Sequence, residues 1–275
     1  MKVTIVGLGL IGASVAKALK GKAHIAGVDA GGRTVRQALD EGVIEEGSTD
    51  MTVASGSDVV VIAVPVGSVV DAAWRVIRHV TDNTVITDTG STKTHIVESI
   101  DHIFPSFVGS HPIAGKELPG YAHSQADLFS GAVTIITPSE KTRQDCIGRV
   151  RSLWEECGSS TRIMDTLTHD RLMAVISHMP HLLSYASMKL ADDLHIHRQL
   201  LGAGFRDFTR IAASDPVMWR DILFDNKENI LPLLDAYIDE LELLRTFIDG
   251  DRKQDLHKAL SSYARIRRTL YGDSR

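Results

Sequence analysis

The chain has 275 residues, 43% hydrophobic and 24% charged, with a formal net charge of −5. These proportions belong to a soluble globular protein of one large or two ordinary domains, and the acidic balance argues against a nucleic-acid binder. Cys146 and Cys157, the two cysteines, form neither a CxxC pair nor a disulfide framework, which suits a reducing cytosol. Met1-Lys2 leads directly into a strand-like run without a signal-peptide pattern. The longest apolar run, Val59 to Val66, is too short to span a bilayer. A cytoplasmic location is therefore expected.

In chain order, strand-like segments are expected at 3–6, 24–28, 59–64, 84–87, 106–108 and 133–136, with helix-like stretches at 11–20, 33–41, 68–80 and 92–100. Near-continuous apolar strands separated by helices imply a doubly wound α/β domain of Rossmann type, its parallel sheet covered on both faces. A short run at 161–164 ends the sheet. After Thr166 the pattern is helical throughout, with long amphipathic stretches at 239–245 and 256–270. This predicts an α/β domain over 1–165 and an all-α domain over 166–275. A helical domain of that size needs another surface for its apolar stripes, and a homodimer through the helical part is the expectation.

Gly7-Leu8-Gly9-Leu10-Ile11-Gly12 follows the first strand and opens a helix. In such a fingerprint Gly7 permits the tight turn, Gly9 lets the backbone approach a pyrophosphate, and Gly12 allows close helix–strand packing. The N–H groups of the helix start, Leu10 and Ile11 among them, suit phosphates. The second strand ends in Asp29, where a carboxylate can accept from both ribose hydroxyls and repel a 2′-phosphate. NAD is the expected cofactor. Arg33 lies close by and can tolerate a phosphate or stack on the adenine. Val64 and Pro65 end a strand at the sheet's carboxyl edge, where ligands of open α/β sheets bind. Asp88-Thr89-Gly90-Ser91-Thr92-Lys93 ends another. Ser91 and Thr92 read first as helix caps, but their edge position, with Thr89, also puts them near a nicotinamide.

Of twelve histidines, His111 stands out. It lies in Phe107-Val108-Gly109-Ser110-His111-Pro112-Ile113-Ala114-Gly115-Lys116-Glu117, read as a loop just after a strand, where functional side chains concentrate. Its alternative is a turn histidine satisfying backbone carbonyls. His178 and His181, in Ser177-His178-Met179-Pro180-His181, fall short of a metal site, and Pro180 predicts a helix start or kink between them. No metal is expected. Arg206, Arg210 and Trp219 read equally as surface residues or as a carboxylate site with an aromatic wall. Asp215-Pro216 marks a helix start.

Taken together, these segments resemble the prephenate and arogenate dehydrogenase family over nearly the whole chain. The resemblance rests on Gly7 to Ser14, Asp88 to Lys93, Gly109 to Gly115, His169-Asp170, Ser177 to His181 and Phe208 to Ala212. It implies NAD-dependent oxidative decarboxylation of prephenate to 4-hydroxyphenylpyruvate in tyrosine biosynthesis, with arogenate as the alternative substrate. By the same resemblance His111 is the base for the ring hydroxyl, and Ser91 holds that hydroxyl and the histidine near the nicotinamide. His181 faces the substrate's pyruvyl side chain, Arg210 binds a substrate carboxylate, and Glu117 and Trp219 fall on active-site positions.

The chain departs from the family pattern at Ala13, where a second glycine is usual, and over Lys116 to Pro119, a less polar segment near the substrate's side chain. No appended regulatory or chorismate mutase domain is expected, and feedback by tyrosine is expected to act at the active site. Two rivals stand against this reading. β-Hydroxyacid dehydrogenases use a lysine with an asparagine four residues later, but Lys189 is followed at that spacing by Asp193. A non-catalytic NAD-binding regulator is opposed by the joint presence of Ser91, His111, His181 and Arg210.

Overall fold

The computed structural model describes residues 1–116 and 118–272. The first stretch alternates strand and helix: β1 (Lys2–Val6), α1 (Leu10–Leu19), β2 (His24–Val28), α2 (Gly32–Asp40), β3 (Glu46–Ser48), β4 (Val59–Ile62), α3 (Val69–Ile77), β5 (Val85–Asp88), α4 (Thr94–Ile100), β6 (Phe107–Pro112), β7 (Val133–Thr137), α5 (Gln144–Glu156) and β8 (Ser160–Ile163). Helices follow: α6 (Thr166–Met173), α7 (Met179–Asp193), α8 (Ala203–Thr209), α9 (Pro216–Asp225), α10 (Lys227–Asp249) and α11 (Lys253–Tyr271).

The strands form one eight-stranded sheet in the order β3-β2-β1-β4-β5-β6-β7-β8. Side-chain alternation sends Val3, Ile5, Val59 and Val61 into one core layer with α1 and α5. Val6, Val60 and Ile62 enter the other, with α3 and α4. Both faces are thus covered, which is why the inner strands are apolar without polar interruption. Strand order reverses between β1 and β4, opening at their carboxyl ends the crevice where such sheets bind ligands.

Three details depart from the sequence expectation. β3 was not foreseen: Glu-Gly-Ser has no strand propensity, and the segment pairs because it passes the open edge of β2. The sheet is not wholly parallel, since β7 runs antiparallel to β6. Among its described residues the connection over 113–132 contains the 3-10 turn Tyr121–His123 and no crossover helix, and the chain returns beside β6 in the opposite direction. As a consequence β6 extends to Pro112, and His111 is a strand residue paired with Ile135 rather than a loop residue.

The change from sheet to helix near residue 165 is not where the compact units part. These are Met1–Lys227 and Glu228–Arg275. Within the first, α6 packs on α4 and α9 packs on the turn following β4. The second unit holds nearly all of α10 and α11. Its apolar side chains, including Leu241, Ile248 and Ile266, are exposed in the single chain, and Tyr263 donates to Glu240 between the two helices.

Candidate active site

The fingerprint meets the steric demands read from it. Gly7 has a φ of +94°, and a Cβ there would lie 2.6 Å from the Ala63 carbonyl oxygen. A Cβ on Gly12 would overlap the Gly7 carbonyl oxygen, so close packing of α1 on β1 requires glycine. At Gly9, by contrast, nothing lies within 4 Å of the Cβ position. That open space stands before the start of α1, which has no side-chain cap. The backbone N–H groups of Leu10 and Ile11 in its first turn suit a pyrophosphate.

Asp29 ends this cradle. Its Oδ2 accepts from the Leu8 N–H at 2.8 Å and its Oδ1 from the Gly31 N–H at 2.8 Å. The carboxylate ties the fingerprint turn to the loop opening α2 and retains lone pairs for ribose hydroxyls. Arg33 is exposed in the first turn of α2. Val64 and Pro65 follow β4 at the crevice, and Thr89 follows β5, its N–H bonded to the Ile62 carbonyl at 3.0 Å. The expected cofactor residues therefore share one edge of the sheet, and the donor set fits NAD.

Beside this edge β6 presents His111. Its Nδ1 lies 2.9 Å from His169 Nε2, and His169 Nδ1 lies 2.8 Å from Asp170 Oδ1. The carboxylate only accepts, so His169 Nδ1 carries hydrogen and His169 Nε2 is an acceptor. His111 must then donate from Nδ1, which leaves its Nε2 with a free lone pair. Burial first, then the neighbouring His169, Lys93 and His178, holds His111 well below the ordinary histidine pKa. Burial opposes charge on Asp170, but hydrogen bonds from His169 and Thr94 outweigh it and keep the carboxyl below its ordinary value. A neutral imidazole with one directed lone pair is suited to accept a proton.

The Asp170 carboxylate also caps α4, accepting from the Lys93 N–H at 2.8 Å and the Thr94 N–H at 2.9 Å. Thus Ser91 and Thr92 are not the caps: Thr92 donates to Asp225, and Ser91 is half-buried between β5 and α4. Among the described residues His111 Nδ1 pairs with His169, and no hydrogen bond joins it to Ser91. Lys93, wholly buried, pairs with Asp88 and donates to the Ser110 carbonyl at 3.0 Å. Asp88 also accepts from Gly90 and Ser110 N–H groups, so the β5–α4 loop and the backbone before His111 are held together.

The network continues from Asp170 towards the helices. Asn226 donates to the Asp170 carbonyl at 2.8 Å and to His178 Nδ1 at 3.0 Å. Burial pushes His178 down to about 4. His178 meets Trp219 edge-on, and His181 stacks on the same Trp219 with centroids 3.4 Å apart. The Trp219 indole N–H is buried without a partner among the described residues. Arg210, on the 3-10 turn Arg210–Ala213, lies near enough to depress His181, whose pKa is lowered first by burial.

The predicted break at Pro180 takes the form of a π turn, Ala174–His178, immediately before α7. Proline at that point removes an N–H and crowds the preceding carbonyls, and a wider turn relieves both. The Asp215 cap is present, accepting from the Val217 and Met218 N–H groups at 2.9 Å each. Glu117 lies outside the described residues. Lys189, the rival catalytic lysine, is exposed on α7 and paired with Asp193.

Sequence reasoning assigned no role to His169, Asp170, His178 or Asn226. The adjacent His169-Asp170 pair was visible in the resemblance, but nothing in its spacing signals a helix cap on α4 or a bond to β6. Among the described residues no group of three His, Cys, Asp or Glu side chains could hold a metal ion.

Comparison with known proteins agrees with this geometry. The family model for the prephenate dehydrogenase nucleotide-binding domain matches residues 15–163, and that for the prephenate dehydrogenase dimerization domain matches 165–262. Prephenate dehydrogenase of Bacillus subtilis is 35% identical, covering 94% of this chain and 73% of that protein. The solved A. aeolicus prephenate dehydrogenase, in complex with hydroxyphenyl propionate and NAD+, superposes with a TM-score of 0.91 at 33% identity, over 98% of both chains. Synechocystis arogenate dehydrogenase superposes with a TM-score of 0.86 at 28% identity, over 98% of this chain and 100% of that one. These matches along nearly the whole chain place this protein in the prephenate dehydrogenase family of NAD-dependent oxidoreductases.

Proposed function

We propose that the protein oxidatively decarboxylates prephenate to 4-hydroxyphenylpyruvate, with His111 as the base. The observation that carries this assignment of roles is the Asp170–His169–His111 hydrogen-bond chain, which leaves His111 Nε2 as the acceptor at the cofactor edge. Bound NAD supplies the hydride acceptor. His111 takes the ring hydroxyl proton as hydride leaves the same carbon, turning the C–O bond into a carbonyl. Loss of the ring carboxylate as carbon dioxide sends its electron pair into the ring, which becomes a phenolate and takes back a proton to give the phenol. Aromatisation makes the step effectively irreversible, so the protein needs to position two partners and remove one proton. His169 and Asp170 act as positioning residues, and Asp170 offsets the charge that His111 acquires.

Ser91 sits beside the nicotinamide end. Arg210 receives a substrate carboxylate, Trp219 and His181 line the side-chain end, and Glu117 falls on an active-site position by the family resemblance. The 166–275 region is the substrate and dimerisation part, and the exposed apolar residues of α10 and α11 support a homodimer through it. Among the described residues no helix is long and apolar enough to cross a membrane, and we assign the enzyme to the cytoplasm. The test is direct: purified protein with NAD and prephenate should form NADH and 4-hydroxyphenylpyruvate. Absence of turnover with prephenate and with arogenate overturns the reading.

A further inference from the structure

The side-chain end of the pocket carries information about which group the enzyme accepts there. His181 Nδ1 lies 2.9 Å from the backbone carbonyl oxygen of Ser177, one turn earlier. A carbonyl oxygen cannot donate, so Nδ1 carries the hydrogen, and neutral His181 offers only a lone pair at Nε2. The ring cannot readily exchange these roles, because stacking on Trp219 at 3.4 Å fixes its plane. Nε2 has no protein partner among the described residues.

We infer that His181 Nε2 distinguishes the two candidate substrates by hydrogen-bond polarity, accepting directly from the α-ammonium of arogenate and holding the α-keto side chain of prephenate only after His181 takes up a proton. The inference rests on the reading that His181 faces the substrate's side chain. Both substrates carry the same two carboxylates, so the difference is confined to the amino or keto group. An ammonium donates to a neutral imidazole. A keto oxygen and a carboxylate both accept, and leave the lone pair facing another lone pair unless Nε2 is protonated.

Among the described residues, the charged and titratable groups acting on His181 are Arg210, from its 3-10 turn, and His178, from the π turn. Neither is acidic, and burial also disfavours the imidazolium. The free enzyme therefore presents the acceptor form at neutral pH. Binding of the keto substrate is linked to uptake of one proton, and binding of the amino substrate is not.

The experiment measures kcat/KM for arogenate and for prephenate, with NAD, between pH 5.5 and 8. Titration of His111 affects both substrates and cancels in their ratio. The arogenate-to-prephenate ratio should rise with pH, by up to about tenfold per unit once His181 is neutral in the free enzyme. His181→Gln, whose amide can donate or accept, should flatten it. As a second readout, calorimetry in buffers of different ionisation enthalpy should show proton uptake when 4-hydroxyphenylpyruvate binds the NAD complex, and none when tyrosine binds. A constant ratio in the unsubstituted enzyme, equal proton uptake for both products, or a pH-dependent ratio that survives His181→Gln overturns the inference. No turnover with either substrate overturns the underlying functional reading instead.

Discussion

His111 on β6 and His169 on α6 share one hydrogen bond, Nδ1 to Nε2 at 2.9 Å, and that bond decides which nitrogen of His111 is free to act as a base. Replacing His111 with Asn removes the acceptor. His111→Asn should lower kcat by about 10²–10⁴, the range for loss of a general base, with KM little changed. Stopped-flow or steady-state formation of NADH checks this, and a near-normal kcat would return His111 to a structural role.

Changing the positioning pair should act through His111. His169→Gln should reduce kcat about 10²-fold, the scale of a small misplacement at the reacting centre, while affinity for NAD is unchanged. Asp170→Asn should in addition move the acid limb of the pH profile further to acid, because the imidazolium loses its counter-charge. A merely structural role would reduce the amount of active enzyme and leave that limb in place. Asp170→Asn should also weaken the cap on α4, lowering stability by about 1 kcal/mol.

The sign of the pH effects follows from burial. His111, His169, His178 and His181 are all shifted down, each chiefly by burial. The base is neutral above its depressed pKa, so activity should be level through pH 7 and fall only on the acid side of the ordinary histidine range. The same shifts govern stability. In the unfolded chain these histidines protonate near pH 6.5, but in the folded protein only at lower pH, so stability is full above about 6.5 and lost as pH falls. His178, pushed down to about 4, contributes a loss on the order of 3 kcal/mol across that window. A melting temperature that does not fall between pH 6.5 and 4 would contradict this account.

Asp29 holds two loops and faces the ribose position with its remaining lone pairs. Asp29→Asn removes the charge that opposes a 2′-phosphate. The kcat/KM preference for NAD over NADP should narrow by about tenfold or more, measured with saturating prephenate. An unchanged preference would assign cofactor choice to another group.

The α10 and α11 helices expose apolar side chains that a second copy would cover. The protein should run as a dimer in light scattering, and Leu241→Glu, changing an exposed residue of α10, should shift it towards monomer. A wild-type monomer at micromolar concentration would refute the dimer.

Much of the fold was legible because its signals are local. Apolar runs such as Val59 to Ile62, the three fingerprint glycines and the Asp215-Pro216 helix start each act through neighbours in the chain. The cofactor edge followed, since a glycine-rich turn after a strand leaves few alternatives for its backbone. His111 could be singled out, but not its place inside β6, because that strand's length depends on pairing with β7.

What the sequence by itself determined is the α/β class, the dinucleotide cradle and the singling out of His111. Tertiary structure alone decided how that base is held. The Asp170 carboxylate reaches the N–H groups of Lys93 and Thr94 and the ring of His169, and Asn226 ties Asp170 to His178. These partners lie far apart along the chain and come together only when α6 and α9 pack against the sheet domain. No periodicity encodes that meeting, because a hydrogen bond between distant residues depends on where whole elements settle. The tautomer of His111 is a consequence of that packing.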